Sequence, residues 1–587
     1  MGNRRLCILL VTALLSAPLA PVSAQAPHCG TGLWLQQQLA ARKTLKLATS
    51  ARTAAVTKPI RTLETAHFIV HYVMRGPNRV KTLAEDQALV AHVDSLYAAL
   101  APAVKGDAAD SAVYAQLTAQ EAPHPAYIRT MAGFFEMAYG YYVDTLGMRA
   151  PSESSPSIYY SVPAHPSSKY PIDVADIGTA EPSFRTQEIY ALTYPTGLGG
   201  MLMENDFLFN TKMGSDGIPT GDSISSRYQG RLVHNYASEW NLGLKVTCYH
   251  ELYHTVQFAY TPTAQQFHIW YETSATGMEE RKAPEVNDYL QYLPAYMEDL
   301  GEKGMLAFGD GGLSRYGNAI YHDFLGKELG ADFDVRIWRR LSDNGNRIEE
   351  ALTFMHASFG KSTQEVYTRF GAQLAFAGST AANPLPAFSP DIPLWPRLSR
   401  DSVDLHSPST FASSLRHPPM SIQAVGLQGS GSSGKALFLS DTTLRTVLAR
   451  LRSDTSLVEF NRGKTVPLDI RGEGGEVIAV LVNGSLDRTV SPFEIRLLSS
   501  RLDTAVYPYP NPLNQSAGES DLVFSRLGRA VSVQVYGESG TLLRALAFTT
   551  GNGLWSWDLT DAKGRRVKPG IYYYRVDSGK LKPILIR

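Results

Sequence analysis

Apolar and polar positions alternate along the chain with two periods, and the period changes mark its elements. Thr65-Ala-His-Phe-Ile-Val-His-Tyr-Val73 is rich in β-branched and aromatic residues and runs into a Gly-Pro-Asn turn, which predicts a strand. His67 and His71 are read as strand side chains rather than ligands. Leu83–Leu100 and Pro125–Leu146 carry helical periodicity, the second with Met131, Phe134, Phe135, Met137 and Tyr141 as its core stripe. Short strands are expected at Ser157–Val162, Pro171–Val174, Ala191–Tyr194 and Gly200–Phe209. Gly199–Asp206 is the candidate sheet edge, whose unpaired N–H and C=O groups would receive an extended peptide. Thr211–Gly230 is rich in Gly, Ser and Asp and reads as a loop or flap.

The longest uninterrupted helical pattern follows. Val246, Leu252, Val256 and Phe258 are apolar, no Gly or Pro falls in 245–261, and Thr261-Pro262 ends the run. Helices are expected again at Val286–Leu300, Gly317–Leu329, Phe333–Leu341, Arg347–His356 and Thr363–Phe376. Between 380 and 420 the composition turns to Pro, Ser and Asn, as in a linker. Beyond 420, β-branched runs alternate with Gly-rich turns, first to about 500 and again from 506 to 587, which predicts two β-sandwich units.

Composition fits a globular chain: 44% of its 587 residues are apolar and 19% are charged. The formal net charge is +0, so no basic field exists to hold nucleic acid or an anionic membrane. Arg4-Arg5, the apolar Leu6–Ala20 and Pro21-Val-Ser-Ala24 form a secretory signal with cleavage expected before Gln25. No later stretch has ~18 consecutive apolar residues, so no transmembrane segment is expected in the mature form. Cys29 and Cys248 are the mature cysteines. They could pair in an oxidising compartment, but Cys248 lies in the long helix, where a free cysteine is often simply buried. The domain organisation expected is a signal peptide at 1–24, an N-terminal arm or pro-segment at 25–58, a main domain at 59–380, a linker at 381–419, and β units at 420–502 and 503–587.

The candidate chemistry lies in His250-Glu251-Leu252-Tyr253-His254. Positions i and i+4 share a helix face, so both imidazoles can converge on one metal ion, while Glu251 stands beside the first ligand as a general base. Glu272, eighteen positions after His254, would complete a His2Glu set for Zn²⁺ and leave one position open. Glu279, seven positions further, could orient a ligating imidazole. Tyr316, Tyr321 and His322 are candidates for stabilising an oxyanion.

The runs H-E-L-Y-H-T-V-Q and W-Y-E-x-x-A-x-x-M-E resemble the gluzincin clan of zinc metallopeptidases. More closely, they resemble a bacterial group of secreted metalloproteases first recognised in myxobacterial genomes. The likeness extends through Thr65–Tyr72, Met203–Phe207, Val286–Tyr289 and Tyr316–Ile320, and covers roughly 60–380. It departs at Thr273, where Gly is usual, and at Gly277, where Trp is frequent. Tyr509-Pro-Asn-Pro512, Trp555-Ser-Trp-Asp558, Pro569–Arg575 and the final Lys582–Arg587 resemble the C-terminal sorting domains of the type IX secretion system and the Ig-like domain of flagellar hook-capping proteins. The resemblance implies a multidomain α+β protein, with a gluzincin-like domain of mixed sheet and helical lobe followed by two β-sandwiches. It implies a secreted or cell-surface zinc endopeptidase that engages the type IX machinery through its tail. Two alternatives stay open: a non-catalytic metal-binding adhesin on the cell surface, and a zinc hydrolase of another amide or ester. Glu251 separates the adhesin from the enzymes, because a binder has no use for a base beside the first ligand; the other hydrolase would use the same residues.

Overall fold

A computed structural model describes residues 29–32, 34–35 and 59–587, except 154, 158, 166–168, 182–183, 185–187, 209–224, 229–230, 263–268, 308–311, 380–388, 399, 405–409, 413–415, 429–434, 440–443, 452–455, 462–464, 469–475, 490–493, 500–506, 510, 516–520, 526–531 and 548–553. The expected signal peptide, most of the expected 25–58 arm, most of the expected Thr211–Gly230 loop and much of the expected 381–419 linker therefore lie outside the described residues. The architecture is mixed α+β, with several sheets and many helices arranged as more than one unit.

The first sheet is built from β1 (Arg61–Glu64), β2 (Phe68–Tyr72), β3 (Tyr170–Val174), β4 (Ala191–Thr193) and β5 (Met201–Met203), in the order β1-β2-β3-β5-β4. β2, β3 and β5 run parallel, and β4 returns antiparallel to β5. Every residue of β2, β3, β4 and β5 is buried, as strands covered on both faces must be. The Gly199–Asp206 stretch is therefore not the edge: β5 pairs on both sides, and the outer strand is β4.

Two helices, α1 (Gln87–Ala99) and α2 (Asp107–Ala119), precede α3 (Ala126–Tyr139). The buried face of α3 is Tyr127, Ile128, Met131, Ala132, Phe135 and Ala138, while Met137 is 56% exposed. The expected stripe placed Met137 and Tyr141 inside. Ala138 and Tyr142, three and seven positions after Phe135, continue the buried face at helical spacing into the π-helical turn Gly140–Thr145, so Tyr142 rather than Tyr141 points inward. The Tyr142 hydroxyl donates to the carbonyl of Tyr249 at 2.9 Å and ties this turn to the next helix.

That helix, α4 (Trp240–Tyr260), runs through the core. It packs on α3, on β4 and on α5 (Ile269–Lys282), and from Leu244 onward only Lys245 and Ala259 escape full burial. Helices α6 (Leu293–Glu302), α7 (Ala319–Leu329), α8 (Phe333–Asp343), α9 (Ile348–Ser358) and α10 (Thr363–Leu374) follow. A five-stranded sheet containing Ser421–Gln428 and Glu476–Asn483 lies against α10. Gly371 leaves room for Val482, and Tyr367 donates to the Met420 carbonyl at 2.7 Å. A four-stranded sheet containing Lys435–Leu439 and Glu494–Ser499 follows. The last strands, from Tyr507–Tyr509 to Lys582–Ile586, have their own core around Phe524, Trp557 and Tyr574.

Candidate metal centre

Helix α4 carries polar side chains at positions that a buried helix ordinarily gives to apolar ones: Thr247, His250, Glu251, His254 and Gln257. Burying such groups is unfavourable unless each finds a partner. The partners come from α5, from β4 and from the N-terminal segment. Helix α5 holds Glu272 in its first turn and Glu279 two turns later on the same side, both buried.

His250, His254, Glu272 and Cys29 converge, with one ligand atom from each inside a 4.8 Å cluster. His250 Nε2 lies 3.3 Å from Glu272 Oε2, and His254 Nε2 lies 3.5 Å from it. Cys29 Sγ lies 3.4 Å from His254 Nε2. A tetrahedral zinc with bonds of about 2.0–2.1 Å to N and O and about 2.3 Å to S would hold its ligand atoms roughly 3.3–3.6 Å apart. The observed separations match that set. His250 Nε2 and both oxygens of Glu272 are buried without a hydrogen-bond partner; His250 Nε2 and Glu272 Oε2 face each other across the cluster, while Oε1 lies toward Arg315.

The electrostatics say the same. Burial works against ionisation of Glu272, yet His254 and Arg315 beside it hold it below the usual carboxylate range. Burial also opposes charge on His254, but Cys29 and Glu272 outweigh it and push it up to about 10. The cluster favours positive charge at its centre, which is what a bound cation supplies.

Each imidazole is oriented from behind. His250 Nδ1 donates to Glu279 Oε1 at 2.5 Å, and His254 Nδ1 donates to Gln257 Oε1 at 2.7 Å, which leaves both Nε2 lone pairs aimed inward. Gln257 is itself fixed by donating to the Tyr271 carbonyl and to Ser274. It was missed in the sequence, although the His254-x-x-Gln257 spacing puts both on one helix face. Glu251 is anchored by the Thr193 hydroxyl of β4 at 2.6 Å and approached by Thr31 at 3.4 Å. Arg315, also missed, brings its guanidinium to 4.0 Å from Glu272.

Tyr316 stacks near His250, and its hydroxyl donates to the Cys29 carbonyl at 3.2 Å. A small cavity beside the cluster is bounded by Cys29, His250, Glu251, Tyr190, Tyr292 and Tyr316. His322 and Tyr321 are not brought to the cluster. His322 packs against Gly277, about 140° around α5 from Glu272, and its Nε2 lies 3.0 Å from Asp334. The Tyr321 hydroxyl pairs with His356 at 3.3 Å. This accounts for Gly at one of the two positions where the chain departs from the sequences it resembles: a Cβ at position 277 would lie 2.2 Å from His322 Nδ1, so only Gly fits. The other, Thr273, accepts from Asn318 and donates to the Arg315 carbonyl, which clamps α5 to the 315–318 turn. Cys248 and Cys29 are both free. The Cys248 thiol faces the Met131 carbonyl rather than Cys29.

No protein-family model matches the chain, and no curated protein matches it. Among solved structures, it is similar to PorZ, an essential bacterial surface component of the type-IX secretion system of Porphyromonas gingivalis, at 23% identity over 18% of this chain and 15% of that one, with a TM-score of 0.13. It is also similar to the BSP domain of a biofilm associated protein, at 13% identity over 28% and 27% with a TM-score of 0.14. A third likeness is to the extracellular region of zebrafish Gpr126/Adgrg6, at 12% identity over 32% and 31% with a TM-score of 0.13. The chain thus spans between 15% and 31% of these structures' own lengths. Among the described residues, no helix is long and apolar enough to cross a membrane.

Proposed function

We propose that the protein is a secreted zinc peptidase of gluzincin type, with His250, His254 and Glu272 as metal ligands and Glu251 as general base. The observation that carries this reading is the convergence of unpartnered lone pairs from His250 and Glu272 at zinc-like separations, beside a buried glutamate. A bound zinc lowers the pKa of a water to about 7 and acts as a Lewis acid. Glu251, held by Thr193, accepts a proton from the attacking water and returns it to the leaving amine. Strand β4, the outer strand of its sheet and beside Glu251, would offer backbone groups to an extended peptide once residues 29–31 leave it. Tyr316 already donates to one peptide carbonyl, that of Cys29, and would donate in the same way to a substrate carbonyl. The adjoining cavity would receive a side chain flanking the scissile bond.

The test measures zinc content and casein cleavage with and without a chelator, in wild type and in Glu251→Gln. The variant should keep one zinc and its fold and lose about 10²–10⁴-fold in rate. Full activity in the variant would remove the mechanism.

A second reading is favoured by one observation. Cys29 gives the cluster a fourth protein ligand, and four protein ligands are the mark of a structural site. In that case the protein is a surface-displayed adhesin with a metal-braced core. Secretion and engagement of the type IX machinery by 503–587 rest on the signal sequence and the tail motifs.

A further inference from the structure

We propose that Cys29–Gly32 is a built-in latch on the zinc centre: Cys29 supplies the fourth ligand as a thiolate, and the segment lies along β4 where a peptide substrate would lie. This rests on the peptidase reading above and names the regulation of that same site.

Each residue of the Cys-Gly-Thr-Gly run has a contact that fits this role. Cys29 reaches the cluster with its sulfur and bridges Ala191 of β4 in parallel, while the Gly30 N–H donates to the Ala191 carbonyl at 3.0 Å. Thr31 accepts from the next edge amide, that of Thr193, at 2.8 Å, and its hydroxyl lies toward Glu251. Two exposed valences of the edge strand and the base itself are thereby covered. The glycines permit the approach. A Cβ on Gly30 would sit 2.4 Å from Leu192, and one on Gly32 would sit 2.9 Å from the Arg315 guanidinium and 3.0 Å from Glu272 Oε1. Trp34 anchors the segment edge-on against Tyr194 at 5.1 Å.

The chemistry follows from the ligand count. Three protein ligands leave a position for water, whereas four close the shell. With Cys29 in place no water can be activated, and β4 is already paired. Withdrawal of the segment would free both at once.

The experiment uses the full mature chain with zinc, and cobalt in its place for spectroscopy. X-ray absorption at the zinc edge should show one sulfur at about 2.3 Å in wild type, replaced by a light atom at about 2.0–2.1 Å in Cys29→Ser. Cys29→Ser should still hold one zinc. Its cobalt spectrum should respond to acetohydroxamate, which wild type should not, and casein cleavage should rise about tenfold or more, as for a centre open less than about a tenth of the time. Gly30→Ala, which keeps the thiol but crowds Leu192, should move the same readouts part of the way. The latch is overturned if wild-type zinc has no sulfur ligand, or if Cys29→Ser loses zinc while Gly30→Ala leaves the metal closed, as in a structural centre. Opening to acetohydroxamate in Cys29→Ser without cleavage of any peptide supports the latch and removes the peptidase reading.

Discussion

The surroundings of α4 and the C-terminal β unit are built on opposite principles. Around α4, two histidines, three glutamates and an arginine are almost completely buried, and His250 Nε2 and both carboxylate oxygens of Glu272 lack any hydrogen bond. In 507–587 the buried set is Leu513, Leu522, Phe524, Val533, Val535, Trp557, Leu559, Tyr574, Ile584 and Ile586. The Trp557 indole there donates to the Thr560 carbonyl at 2.7 Å, and the segment contains no histidine. The tail is held by apolar area, worth about 25 cal/mol per Å² removed from water. The helical core carries charges that stabilise only in each other's presence, and removing one strands the rest. On the metal-centre proposal, one region would depend on a cation and the other would not.

The strongest way to break this contrast is to remove a ligand. His250→Ala, His254→Ala or Glu272→Ala should each leave the protein without zinc after dialysis and lower the unfolding temperature of the helical part, with the β tail unaffected, as read by metal analysis and calorimetry. If Glu272→Ala holds zinc as tightly as the parent, the third ligand is misassigned, and Glu279 is the next to test.

A smaller effect is expected behind the centre. Gly277→Ala forces a methyl into the His322 ring and should cost about 1–3 kcal/mol of stability, measured by denaturant unfolding, with zinc content unchanged. Loss of zinc in this variant would mean that the His322 side of α5 also sets the ligand geometry.

A separate effect depends on pH. Burial, reinforced by Asp391 and Asp323, pushes Glu280 up to about 9. Between pH about 4.5 and 9 the unfolded chain releases this proton while the folded chain keeps it, so this group lowers stability as pH rises. Glu280→Gln should therefore match wild type at pH 4 and gain on it steadily towards pH 9 in thermal unfolding. An advantage that does not change with pH would contradict the assignment.

The last expectation is no effect at all. A chain ending near residue 502 should keep its zinc and any peptidase activity, since the tail has its own core. In the host, the same truncation should accumulate in the periplasm if the tail is a sorting signal. Loss of zinc on truncation would show that the two regions are coupled.

What could be read from the sequence follows the range of the contacts. His250, Glu251, His254, Glu272 and Glu279 lie within thirty positions; helical spacing put His250 with His254 and Glu272 with Glu279, and the two-His-plus-Glu ligand pattern brought the two helices together. The long helix was legible for the same reason, with expected and observed ends close together. Gln257 was legible in principle. Arg315 and Cys29 were not, because nothing local links them to α4. Cys29 and His254 are 225 positions apart. The edge strand was misplaced because β4 and β5 are both short apolar runs, and only pairing tells an outer strand from an inner one. His322 carries suitable chemistry for an oxyanion, but the direction of its side chain depends on the hole at Gly277.

That separation of 225 residues also sets an order of assembly. His250, His254 and Glu272 are brought together by two successive helices, a short-range event with a modest loop-closure cost. Residue 29 has nowhere to dock until β4 exists and α4 lies against it, so its contact belongs to the late, high-contact-order part of folding. The segment around Cys29 is therefore among the last of the described parts to reach its place. If the cluster binds a metal as proposed, the side that Cys29 covers stays open until then.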